Sequence, residues 1–173
     1  MRTNKSPAVG AIALAFSLLA IGACQATAPA AAAGPDAATE MVPSATELFA
    51  LYNGRTWAWE TGGAYFSPQP RTFSAWSQSG DENVYAEGRW IITNDGRVCF
   101  QADWHTRGNV SPALTCFAHK KADGAIYQRR LPDGEWYVFR SARKKSPQEY
   151  SKFRAGDAVS GKISEIRQAL QSQ

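Results

Sequence analysis

After Gly54 the sequence changes to a period of two. Val98, Phe100, Ala102 and Trp104 alternate with Cys99, Gln101 and Asp103. Leu114, Cys116 and Ala118 alternate with Thr115, Phe117 and His119, and Trp136 and Val138 with Tyr137 and Phe139. That period belongs to half-buried strands. Between the runs stand Asn94-Asp95-Gly96, Asp123-Gly124 and Pro132-Asp133-Gly134, residues that supply the positive φ of tight hairpins. Earlier strands are expected over residues 56–60, 64–67, 71–77 and 84–93. The result is a mainly β domain, an antiparallel meander of about seven or eight strands. With 6 Trp, 6 Tyr and 8 Phe to bury, such a sheet curls into a small barrel or folds into a two-layer sandwich; both remain open.

A helix is expected at each end. Ser44-Ala45-Thr46-Glu47 has the spacing of a capping box. Leu48, Leu51 and Tyr52 then share one helical face, and Asn53-Gly54 can close the helix with a left-handed residue. Ile163, Ile166 and Leu170 recur with helical spacing and predict an amphipathic last helix. Residues 44–173, about 130 in number, suffice for one domain and not for two.

The N-terminus has a different character. Arg2 and Lys5 precede an uncharged, mostly apolar run from Ala8 to Ala20. About a dozen residues are too few to span a bilayer, which takes roughly 20, so this is the layout of a secretory signal. Ile21-Gly22-Ala23-Cys24 sets small residues before a cysteine and resembles the lipobox of bacterial lipoproteins. That resemblance implies cleavage before Cys24 and acylation of Cys24, an anchor firmer than a single acyl chain. Gln25, rather than Asp, is similar to the sorting pattern of outer-membrane lipoproteins. The expected location is therefore the cell envelope, at the outer membrane, facing the periplasm or the surface. An ordinary signal cut near Ala23, Ala26 or Ala28 is the other reading and gives a soluble periplasmic or secreted protein. Residues 24–43 are Ala-rich, interrupted by prolines and without apolar period, as in a flexible spacer. The expected organisation is a signal over 1–23, a lipidated Cys24 with spacer over 24–43, and a β-rich domain over 44–173.

Three cysteines in an exported chain leave one unpaired. With Cys24 assigned to lipid, Cys99 and Cys116 remain, and an oxidising compartment favours a disulfide between them. A zinc site lacks support, since there is no CxxC and no local histidine pair. Loss of residues 1–23 removes two of the 19 basic residues and none of the 15 acidic ones. The nearly balanced remainder makes nucleic acid a poor partner. The late basic run over 140–145 reads first as solvated surface, and more sharply as a contact for anionic lipid or lipopolysaccharide.

LYNGRTWAW, GGAYF, RTFSAW, GRW, VCFQADW, CFAH, IYQR and EWYVFR follow one another between about Leu48 and Asp157. On these stretches the chain resembles a family of small exported alphaproteobacterial proteins, the domain of unknown function family number 995. The resemblance implies a small secreted β-domain. It carries no established activity or cofactor and no catalytic residues to transfer.

The residues themselves offer little chemistry. Asp103, His105 and a serine could compose a triad, but no GxSxG elbow accompanies them; His105 reads as an ordinary loop residue. His105, His119, Asp103 and Glu87 lack HxH or HExxH spacing, so no metal is expected. Asp81, Glu82 and Glu87 could supply paired carboxylates for glycoside hydrolysis only if folding brings two of them within about 5 Å. Of the six tryptophans (Trp57, Trp59, Trp76, Trp90, Trp104 and Trp136) most are expected in the core. A surplus would line a ligand cavity or a sugar-stacking surface, and Trp57, Trp59, Trp90, Trp104, Trp136 and Tyr137 are the candidates. No cofactor is expected. Three functional readings follow. The preferred one is a non-enzymatic tethered β-domain binding an envelope protein, a glycan or a small apolar ligand. The others are a small periplasmic β-barrel protease inhibitor and an envelope-polymer hydrolase.

Overall fold

The computed structural model describes residues 40–143 and 148–172. The signal segment 1–23, Cys24 and the spacer up to residue 39 lie outside the described residues, as do Lys144 and Lys145 of the late basic run.

Helix α1 (Ala45–Tyr52) leads into nine antiparallel strands: β1 (Arg55–Trp59), β2 (Gly62–Phe66), β3 (Thr72–Ser79), β4 (Glu82–Ile92), β5 (Arg97–Thr106), β6 (Asn109–Ala122), β7 (Ala125–Arg130), β8 (Tyr137–Ser141) and β9 (Phe153–Ala155). A 3₁₀ turn (Glu149–Lys152) precedes β9, and α2 (Ser160–Gln171) closes the domain. The sheet runs β8-β7-β6-β5-β4-β3-β2-β1-β9, a meander whose last strand returns to pair with the first. The architecture is one curled half-barrel sheet rather than a sandwich. β9 is the strand that periodicity missed; three residues are too few to show an alternation. His105 lies within β5 and not in a loop, because the hairpin turns three residues later at Gly108, which has φ +72.

The curl brings the two sheet edges together. Phe139 of β8 and Phe153 of β9 stand 5.5 Å apart, centroid to centroid. The 3₁₀ turn seals the seam: Tyr150 packs on both rings, and the Ser141 backbone N–H donates to Gln148 Oε1. Curvature requires missing side chains. A Cβ on Gly88 would fall 1.9 Å from the Gln101 carbonyl oxygen, and one on Gly62 would fall 2.4 Å from the Trp59 indole nitrogen. Only glycine admits such close approaches.

Residues on the inner face follow the strand register. Trp57, Ala64, Ala75 and Ala86 are successive cross-strand partners, and Ala86 then faces Trp104. Three alanines in a row leave room for the large rings on either side. Nearer α1 the inner face is mostly aromatic, with Val98 and Ile92 beside the rings. Phe66, Phe73, Trp90 and Phe139 are all buried, with Leu48, Leu51 and Tyr52 of α1 inserted among them.

α1 forms as its capping box predicts. Ser44 Oγ accepts from the Glu47 backbone N–H, and Glu47 Oε2 accepts from the Ser44 backbone N–H at 2.8 Å. The Ser44 backbone N–H and the Lys121 ammonium hold the Glu47 carboxyl down at about 2. Residues Glu40–Pro43, assigned to the spacer on composition, are docked: Met41 and Lys121 exchange two backbone hydrogen bonds, and Pro43 is buried. α2 lies on the outer face, where Ile163, Ile166 and Val159 cover Tyr65, Trp76 and Tyr85. The Asp157 carboxylate accepts from the backbone N–H groups of Val159 and Ser160 and so caps this helix.

The disulfide between Cys99 and Cys116 is formed. The two are direct cross-strand partners on β5 and β6, with Cα atoms 4.1 Å apart and a separation of 17 in sequence.

Candidate functional site

The six ring-bearing residues expected to line a ligand site divide into three groups. Trp90 is fully buried, and its indole N–H donates to the Ser67 carbonyl at 2.9 Å. Phe49 stacks on it, so Trp90 is a core residue. Trp136 sits just before β8, with the Lys120 ammonium 4.7 Å and the Arg129 guanidinium 4.9 Å from its ring centroid. Neighbouring residues of a strand point to opposite faces, so Trp136 and Tyr137 diverge: Trp136 outward, Tyr137 inward towards Gln128.

Trp57, Trp59 and Trp104 form the third group, all part-buried on the inner face. Trp57 crosses the interior. Its ring meets Phe117 of β6 at 5.3 Å and stacks on Phe153 at 5.4 Å. Its N–H donates to Glu149 Oε1 at 2.9 Å. Trp59 and Trp104 lie at the strand ends remote from α1, Trp59 opposite Gly62 and Trp104 opposite the exposed Ser111. Among the described residues neither indole N–H has a protein acceptor. The half-barrel is thus filled at one end by α1, while at the other it ends in the part-buried rings of Trp59 and Trp104.

Behind these rings lies a buried polar chain that sequence reasoning did not foresee. The Tyr137 hydroxyl donates to Gln128 Oε1, and Gln128 Nε2 donates to the Tyr52 hydroxyl. The Tyr52 hydroxyl in turn meets His119 Nε2 at 2.9 Å. His119 Nδ1 lies 3.1 Å from the Gly96 carbonyl, so Nδ1 carries the proton and Nε2 accepts. Every donor then has an acceptor in one continuous direction. Burial brings the His119 pKa down to about 4, and burial also pushes the hydroxyls of Tyr52 and Tyr137 well above the ordinary tyrosine value. All four groups are uncharged near neutrality. The chain fixes α1 against β6 and β7; it does not hold a proton poised for transfer.

The residues weighed for catalysis do not converge. Glu87 and Asp103 are cross-strand partners on the exposed outer face, and His105 lies beside them, stacked on Tyr85 at 4.4 Å. Arg167 of α2 pairs with Glu87. His119 is on the opposite, inner face. Asp81 and Glu82 lie at the β3–β4 turn, on a shallow rim shared with α2. No group of three metal-ligating side chains forms among the described residues. None of the described helices is long and apolar enough to cross a membrane.

Comparison with known proteins places these features in a family. The chain matches, over residues 17–159, the family described as protein of unknown function (DUF995). No curated protein and no solved structure matches it. The chain belongs to that family.

Proposed function

We propose, taking this family membership as the premise, that the protein is an exported, membrane-tethered, non-enzymatic β-domain. Its open end takes up a small, largely apolar ligand carrying a hydrogen-bond acceptor. The observation that supports this reading is the contrast among the inner-face tryptophans. Trp57 and Trp90 donate their N–H groups to Glu149 and Ser67, whereas among the described residues those of the part-exposed Trp59 and Trp104 have no protein acceptor. Rings that serve only as core have no need of a part-exposed position at the strand ends. Apolar walls with a few convergent donors are the usual make-up of a small-molecule site. The tether rests on Cys24 behind its apolar run, and on the disulfide, which suits an oxidising compartment.

Two measurements test the two halves. The intact mass of protein purified from its native membrane should correspond to a chain from Cys24 carrying acyl groups. A mass without lipid removes the tether. For the ligand, the mature chain is titrated with the apolar fluorophore N-phenyl-1-naphthylamine. Binding should weaken about ten-fold in Trp104→Ala and in Trp59→Ala, and stay unchanged in Trp136→Ala. Equal binding by all of these, or none by the parent chain, would sink the assignment.

A further inference from the structure

The outer face of β6, β7 and β8 carries a cationic, aromatic surface that the open end does not use. Lys120 and Arg129 flank Trp136, and Arg140 follows on the same side of β8, since residues 136, 138 and 140 alternate onto one face. Arg140 leans over Tyr150 at 5.1 Å. Three arginines elsewhere on the domain are offset by acids, Arg97 by Asp95, Arg107 by Glu82 and Arg167 by Glu87, while Arg55 and Arg71 lie over rings at other places. Arg129 and Arg140 have no carboxylate partner among the described residues. Their partners are rings, and the Arg129 Nε is buried without an acceptor. Stacking on an indole or phenol holds a guanidinium flat and leaves its terminal N–H edge for an anion.

The chain enters the domain on this same face. Lys120 also binds Glu40 Oε1 at 2.6 Å, and the adjoining Met41 pairs with Lys121. Fifteen residues, 25–39, separate Glu40 from Cys24. Fully extended they reach at most about 55 Å, and a flexible chain of that length averages near 20 Å end to end. A tethered domain therefore keeps this face within a short distance of the bilayer, where the local concentration of headgroups is high.

We propose that the surface formed by Arg129, Trp136 and Arg140 docks on the anionic phosphate headgroups of the membrane. Trp136 is the residue type that settles at a membrane–water interface, and each basic residue near an anionic surface strengthens binding about five-fold. The proposal rests on the tether reading for its geometry, so its test leaves the tether out. The mature chain with Cys24→Ser, which cannot be acylated, is sedimented with vesicles of phosphatidylglycerol and, separately, of phosphatidylcholine. It should bind the first, not the second, and lose binding as salt is raised. The double substitution Arg129→Gln with Arg140→Gln should weaken binding roughly twenty-fold. The control pair Arg107→Gln with Lys162→Gln removes the same charge from another face and should change it less than two-fold. Melting temperatures of both pairs are followed in parallel. Equal binding to both lipids, no binding to phosphatidylglycerol at low salt, or equal losses in the two double variants would each overturn the proposal. Should the Arg129/Arg140 pair unfold, Arg140→Gln alone, at an exposed position, must still lower binding.

Discussion

Phe139 and Phe153 sit on opposite edges of a nine-strand sheet, yet their rings are 5.5 Å apart and nearly perpendicular. The seam between these edges is closed by side chains, and Tyr52 of α1 is the wedge that touches both, at 5.6 Å and 5.2 Å. The hydroxyl of that wedge is also the middle link of the buried polar chain. Tyr52→Phe keeps the ring and removes only the hydroxyl, since Gln128 Nε2 lies 3.0 Å from His119 Nε2 and can donate to it directly; the expected loss is about 0.5–1.5 kcal/mol. Tyr52→Ala should cost more, roughly 3–5 kcal/mol, by opening a cavity at the seam. Urea denaturation of both variants checks this; a Tyr52→Phe protein as stable as the parent would mean that the polar chain adds nothing.

Gly88 sets the curl of β4 against β5. With 1.9 Å available between a Cβ and the Gln101 carbonyl oxygen, Gly88→Ala has to push two central strands apart. The expected loss is about 2–4 kcal/mol, at the upper end of overpacking effects because the obstacle is backbone. Gly124→Ala, at a turn with open space around it but φ +72, should cost about 1 kcal/mol. Thermal melts of the two variants side by side would show whether this ordering holds.

His119 confers an acid sensitivity with a definite sign. Its ordinary pKa is 6.5, and in the fold burial brings it to about 4. Between those values the unfolded chain binds more protons than the native one. Stability is therefore fully present above 6.5 and falls as pH drops to 4, by roughly 3 kcal/mol in total. Glu47 acts in a lower window. Its carboxyl is held at about 2 against an ordinary 4.5, so its contribution is present above 4.5 and lost as pH falls towards 2. Urea midpoints across the upper window should fall in the parent protein and stay flat in His119→Asn. A flat parent profile would contradict a buried neutral imidazole.

Much of this fold was legible in the sequence wherever the signal was local. Ser44 and Glu47 are three residues apart, and their reciprocal bonds form as their spacing predicts. The alternations around Val98 and Leu114 gave β5 and β6, and Ile163 and Ile166 gave the buried stripe of α2. What escaped depends on distant partners. β9 exists because Phe153 pairs with Trp57, far earlier in the chain. Gln128 is fully buried because Tyr52, His119 and Tyr137, from three other elements, satisfy its amide. The tryptophans illustrate the limit best. Trp59, Trp104 and Trp136 look equivalent as residue types, but only the direction of curl decides which two face the interior.

The Cys99–Cys116 bond joins strands that are already hydrogen-bonded neighbours. Cys99→Ser should still destabilise the domain by about 2–5 kcal/mol, the range for small secreted domains, since the unfolded chain regains the freedom of the released loop. The same fall should appear on reducing the parent protein. Melting temperatures unchanged in both cases would show that the ladder alone fixes the pairing of β5 with β6.

The paired strand segment at Met41 gives the domain a mechanical handle. Tension on the chain from its N-terminal side arrives at the Glu40–Lys120 ion pair and the two Met41–Lys121 hydrogen bonds, and thus at β6. β6 is the longest strand and the one covalently riveted to β5. A pull is passed straight into the middle of the sheet, past α1. The helix that plugs the half-barrel is spared the load, and the far end of the sheet can keep its shape under the pull.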